Sequence, residues 1–166
     1  MVRPFFFGRD PGSNGAEGLR SEELRDHIEP LLASRGYSLV EVSVARRHGS
    51  PLVSIVVHRD AGVSIADCEQ VASLVRHHPS LGTFVMDADL EVCSPGTDRK
   101  IRDNREYAIF RGRGIRILRK SGEWIRGRIV DAEDGEVTIL GGGNRSIVPM
   151  GDIKRAFLDE QQEVQT

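Results

Sequence analysis

Asp87, Asp89 and Glu91 alternate along the chain, so an extended strand would project them from one face about 6.5 to 7 Å apart. Paired carboxylates do acid–base work only in a cleft that separates their pKa values. The flanking residues supply no such cleft, and the trio is read as a solvent face. His77 and His78 diverge as neighbours on a helix end and make a poor metal pair. Ser34, Ser94, Asp98 and His58 offer the residue types of a hydrolytic triad without the strand–turn–helix context that exposes a nucleophile. Gly112-Arg113-Gly114 lacks the third glycine and the setting of a dinucleotide fingerprint, and no GxxxxGK(S/T) phosphate loop occurs. Cys68 and Cys93 have no CxxC spacing and no histidines at zinc-finger distance, and both read as small core hydrophobes. The expectation is a protein with no catalytic residue, no cofactor and no metal, an enzyme such as a hydrolase being the remotest reading.

Charge is the stronger signal. Between Arg99 and Arg128 stand eleven basic residues against Asp103, Glu106 and Glu123, a local excess of eight, although the whole chain of 166 residues carries a net charge of only −2. Such a run attracts phosphate, stacks guanidinium planes on bases or docks on a ribonucleoprotein; equally it is an ordinary solvated face. Trp124, the only tryptophan, is read as a partly buried anchor, with stacking on a base beside Arg126 as the alternative. The acidic end, Asp159, Glu160 and Glu163, solubilises or masks rather than binds RNA.

Two sets of elements must position these residues. In the first half, Ser21 followed by Glu22 and Glu23 reads as a helix start, with Leu24, Ile28, Leu31 and Leu32 on one stripe, Pro30 as a candidate kink and Gly36 as a stop. Val40, Val42 and Val44 alternate, and with Leu52–Val57 across an Arg46–Pro51 turn they predict a hairpin. Ser64 and Asp67 resemble a capping box before a helix whose apolar face is Ile65, Cys68, Ala72 and Val75. That helix should stop before Pro79. After a variable 79–84 segment, Leu90 and Val92 predict a short strand. The second half shows short β-prone runs at 115–118, 124–130, 137–140, 147–148 and 156–158 with glycine turns between them, the pattern of a small barrel. The predicted fold is α+β: a flexible tail over 1–18, an α+β domain over 19–94, a linker over 95–99, a barrel over 100–158 and an acidic tail over 159–166. The apolar opening Phe5–Phe7 is too short for a signal-peptide core or a membrane span, which makes the cytoplasm the expected location.

Two stretches resemble a known family. Val63-Ser64-Ile65-Ala66-Asp67-Cys68 followed by Val71, and Leu90-Glu91-Val92-Cys93-Ser94-Pro95-Gly96-Thr97-Asp98-Arg99, are similar to signature segments of the bacterial ribosome maturation factor RimP family. Gly36-Tyr37-Ser38-Leu39-Val40 and the glycine-turned second half extend the resemblance over residues 20–158. It implies an N-terminal α+β domain and a C-terminal SH3-like or Sm-like barrel, working without catalysis in assembly of the small (30S) ribosomal subunit. Implied partners are the immature subunit, its 16S ribosomal RNA and a small-subunit ribosomal protein, with no membrane and a monomeric free state. The interdomain signature falls on Ser94, Pro95, Gly96, Asp98 and Arg99, with Asp98 placed to cap the turn or pair with Arg99. The turn is expected to set the angle between domains, a phosphate-facing loop through Arg99 and Lys100 being the alternative. The sequence departs from the pattern where Lys100-Ile101 replaces the usual Pro-Leu, and the 76–86 region matches poorly. Arg99, Lys100, Arg113, Arg116, Arg126 and Arg128 are the candidate RNA- or ribosome-binding residues. The reading from a different class is a protein-binding adaptor whose barrel recognises a protein or peptide without functional RNA contact.

Overall fold

The computed structural model describes residues 16–81, 85 and 87–162. The Phe5–Phe7 run, Gly82–Phe84 within the variable segment, and Glu163 lie outside them. The chain divides after Pro95 into two compact units.

The first unit runs α1 (Ala16–Ala33), β1 (Ser38–Arg47), β2 (Ser50–His58), α2 (Ile65–Arg76) and β3 (Asp89–Cys93). Helix α1 begins before Ser21, so the expected cap sits inside the helix, and residues 16–18 of the expected tail are helical. Ala16, Glu17, Leu19 and Arg20 are strong helix formers, and their propensity overrides the cap signal. Leu24, Ile28 and Leu32 are buried at helical spacing, each contributing about 1.5 to 3 kcal/mol. Pro30 does not end the helix.

Strands β1 and β2 are antiparallel across His48-Gly49, with Arg47 opposite Ser50. Both turn residues have positive φ, 51° and 83°, the geometry whose twist matches a two-residue hairpin and which Gly49 adopts without steric cost. Strand β3 lies parallel to β2 on its other side, as the α2 crossover allows. Along α2 the buried stripe is Cys68, Val71 and Val75; Ala72 packs at its margin, and Ile65 is 68% exposed, contrary to expectation. Ile65 is the first helical residue, beyond the edge of the sheet-facing stripe.

The acidic trio is not one solvent face. Asp87 precedes β3 in a turn, Asp89 is exposed, and Glu91 is half-buried in an ion pair with Arg47.

The second unit adds α3 (Arg105–Ile109), a single turn and a half that hydropathy patterning missed because it is too short to show a period, and then β4 (Gly114–Arg119), β5 (Trp124–Glu133), β6 (Glu136–Gly141), β7 (Asn144–Pro149) and β8 (Ile153–Leu158). These strands form one antiparallel sheet in the order β7-β6-β5-β4-β8. No ladder joins β7 to β8 among the described residues, so the sheet is open. One face carries the core: Ile115, Ile117, Ile129, Val137, Ile139, Val148, Ala156 and Leu158 are all buried, and so is Phe110 after α3. Strand β5 bends at a register shift between Ile129 and Asp131. Near its start it approaches β6 so closely that a Cβ on Gly127 would stand 2.4 Å from the Leu140 carbonyl oxygen, and one on Gly141 would stand 2.1 Å from that of Arg126. Only glycine fits at either position.

Candidate nucleic-acid interface

In the first unit the signature residues converge on one hydrogen-bonded cluster. Helix α1 ends in a Schellman motif: the Tyr37 N–H donates to the Leu32 carbonyl at 3.0 Å and the Gly36 N–H to that of Ala33 at 3.1 Å, with Gly36 at φ 81°. This closure aims the Tyr37 hydroxyl at Asp67, where it donates to Oδ1 at 2.6 Å. Asp67 Oδ2 accepts from the Ser64 N–H and hydroxyl, each at 2.8 Å, while the Ser64 hydroxyl oxygen accepts from the Asp67 N–H at 3.1 Å. The capping box is therefore complete. Arg59 donates to Asp67 at 2.8 Å and lies over the Tyr37 ring at 4.9 Å. The Tyr37 hydroxyl, then the Ser64 amide and hydroxyl, favour the carboxylate and hold the Asp67 carboxyl down to about 2. The same bond raises the Tyr37 phenol. Tyr37, Arg59 and Ser64 each bond to Asp67, which is the arrangement of a structural clasp.

The other catalytic types are also occupied locally. Ser34 donates to the Leu31 carbonyl at 2.7 Å, and His77 sits 2.8 Å from the Ser73 carbonyl oxygen. Ser80 N–H donates to His78 at 3.3 Å. Among the described residues no group of three or more His, Cys, Asp or Glu side chains could hold a metal ion.

At the interdomain signature, Ser94, Gly96 and Asp98 are exposed and Pro95 is half-buried. The Arg99 N–H closes a turn on the Gly96 carbonyl at 3.2 Å, and Gly96 does not use positive φ. Arg99 pairs not with Asp98 but with Glu106 of α3, through Nε at 3.1 Å and Nη2 at 2.9 Å. Glu106 is 2% exposed. This fork binds the signature to the core of the second unit and takes Arg99 out of the phosphate-binding set. Just beyond it, the Ile101 N–H donates to the Ala156 carbonyl and the Leu158 N–H to that of Arg99, both at 2.9 Å, laying Lys100 beside Phe157 along β8.

Arg99, Arg105, Arg111 and Arg119 are neutralised by carboxylates, Arg111 and Arg119 by acids outside the 99–128 window. Arg99 has Glu106, Arg105 has Asp103, Arg111 has Asp131, and Arg119 has Asp152 and Glu123. Arg113 is half-buried before β4, where its carbonyl accepts from Ile129. Three of the candidates do meet. Arg116 on β4 lies directly opposite Arg126 on β5, and Arg128 follows two residues on, so all three project from the sheet face turned away from the core. Phe157 lies on the other side of Arg116, whose guanidinium stands 5.1 Å from its ring centroid. Lys100 is next in the row. The register adds residues that charge counting missed: Arg155 and Trp124 flank Leu118, and Arg145 faces Leu140, which faces Arg128. Trp124 is 45% exposed and lies on this face. Arg145 and Arg155 fall outside the basic run, and strand alternation registered on Leu140 and Leu118 was the signal that could have found them.

Residues 27–98 match the RimP N-terminal domain family. A ribosome maturation factor RimP from Parafrankia sp. (strain EAN1pec) is 30% identical over 149 residues, 76% of this chain and 48% of that protein. The chain resembles the RimP family. It spans about half the length of the curated relative it matches. The RimP N-terminal match takes in the Tyr37–Ser64–Asp67 clasp and ends at Asp98, next to the fork between Arg99 and Glu106. No helix among the described residues is long and apolar enough to cross a membrane.

Proposed function

We propose that the chain is a non-catalytic ribosome maturation factor that assists assembly of the small (30S) subunit. In this reading it binds the immature subunit transiently in the cytoplasm, as a monomer when free, and contacts 16S ribosomal RNA and a small-subunit ribosomal protein. The observation that carries it is the outward face of the second sheet, where Arg116, Arg126 and Arg128 stand together and enter no ion pair among the described residues. Clustered cations of this kind supply the salt-dependent attraction that holds a protein to phosphate. The small net charge of the chain limits attachment elsewhere and favours release. We read the open five-stranded sheet, bent at β5, as an SH3-like barrel, and residues 95–99 as the connector that leads into it.

Exposed Leu140 and Ile147 on the same face favour the second reading, an adaptor that binds a protein through this surface. Co-sedimentation with immature small subunits, mature small subunits and large subunits across a salt series separates the two. Selective, salt-sensitive association with the immature particle is expected; equal association with all three particles, or with none, refutes the assembly reading.

A further inference from the structure

We infer that the outward face of the second sheet is a binding site for unpaired RNA, with Trp124 as its base-stacking platform. The inference rests on the maturation-factor reading for its biological setting, but its physical grounds are local. Arg116 and Arg126 are direct cross-strand neighbours on β4 and β5. Like charges so placed repel and weaken a sheet, and no carboxylate relieves this pair among the described residues. A phosphate seated between them would reverse the sign of that interaction.

Around the pair, Arg128, Arg145 and Arg155 project from the same face, which makes a cationic surface several strands wide. Other arginines of the same unit, such as Arg111 and Arg119, have carboxylates built beside them. Among the described residues no carboxylate pairs with the arginines of this face.

Trp124 decides the class of partner. It lies two residues from Arg126 on the same face and is 45% exposed. An exposed indole beside guanidinium groups suits a base that has left its helix, because stacking needs an accessible π-face. A paired helix buries those faces and would meet the cations only. An acidic peptide would likewise use the charge and leave the indole idle.

Trp124 is the only tryptophan of the chain, so its fluorescence reports this face alone. Titration of the full chain with a short oligouridylate should quench it, while an RNA duplex of equal phosphate count and a polyglutamate should not. Trp124→Ala should weaken binding of a fluorescein-labelled oligouridylate about 5- to 150-fold, the range given by loss of one stacked base. Trp124→Phe, which keeps a ring, should retain most of the affinity. Replacing Arg126 and Arg128 together by Gln should lower the slope of log affinity against log salt by about 1.4, two single-strand phosphate contacts. Absence of quenching by oligouridylate, or equal quenching by duplex or polyglutamate, overturns the inference. If that happens while the wild-type chain still co-sediments with immature small subunits, the site is wrong and the maturation reading stands. If co-sedimentation fails while oligouridylate quenches, the reading falls and the site stands.

Discussion

Arg99 and Glu106 form a two-pronged ion pair inside the second unit, with the Arg99 side chain 10% and the Glu106 side chain 2% exposed. Removing one member of a buried pair strands the other charge, at a cost of about 3 to 5 kcal/mol. Glu106→Ala is therefore expected to destabilise the second unit by that amount in urea unfolding followed by Trp124 fluorescence. The double change Arg99→Met with Glu106→Leu should recover most of the loss. A single-variant loss below about 1 kcal/mol, the size of an exposed pair, would contradict the burial.

Acid should loosen the first unit through Asp67. Its carboxyl is held at about 2 against an ordinary 3.8, so the folded state favours the anion. The resulting stability is fully present above the unfolded value and is lost as pH falls through about 2. Denaturant midpoints measured by circular dichroism should drop across that window for the wild-type chain. Asp67→Asn should flatten the drop, and Tyr37→Phe, which removes the largest cause, should shift it toward the ordinary carboxylate range.

The crossing of β5 and β6 tolerates no side chain at two positions. Gly127→Ala and Gly141→Ala would each force a methyl against a backbone carbonyl oxygen, at 2.4 and 2.1 Å, and overpacking of this kind costs about 1 to 3 kcal/mol. Gly151→Ala is the control: its Cβ would meet nothing within 4 Å, and its stability should stay within about 0.5 kcal/mol of wild type. Equal losses for all three in thermal unfolding would show that the close approach is not the cause.

The sequence resemblance leads one to expect proline at position 100, where this chain has Lys100, and the backbone there would accept either. The bridge to β8 uses the Ile101 N–H, the Leu158 N–H and the Ala156 and Arg99 carbonyls, and leaves the Lys100 N–H out of the ladder. Lys100→Pro should therefore fold normally and gain about 0.4 to 1 kcal/mol by restricting the unfolded chain. A loss of more than about 1 kcal/mol would mean that position 100 needs its N–H or a φ that proline forbids.

Periodicity and turn chemistry made most of the fold legible before any coordinates. Leu24, Ile28 and Leu32, the Ser64–Asp67 capping box, and the glycine turns of the second half are local signals, and each produced the element it predicted. What was hidden depends on partners distant in sequence. Arg119 is neutralised by Asp152 and Arg111 by Asp131, which a charge count over 99–128 cannot see. The parallel placement of β3 beside β2 follows from the α2 crossover and not from any pattern within β3. The face that Trp124 takes was hidden too; only its register opposite Leu118 puts it on the outward face. The candidate site was half legible for the same reason. Arg116, Arg126 and Arg128 alternate visibly, whereas Arg145 and Arg155 join them through pairings across β6 and β8.

The short strap from Arg99 to Ile101 also covers an edge of the second sheet that a strand from elsewhere could otherwise pair with. An open sheet offers two rows of unused amides to any passing strand, the usual seed of aggregation. The strap occupies the β8 edge, and on the opposite edge β7 carries the charge of Arg145 and ends in Pro149, which has no N–H to give. A fragment begun after Ile101 would keep the whole sheet and lose this guard, leaving β8 open as a template for strand addition.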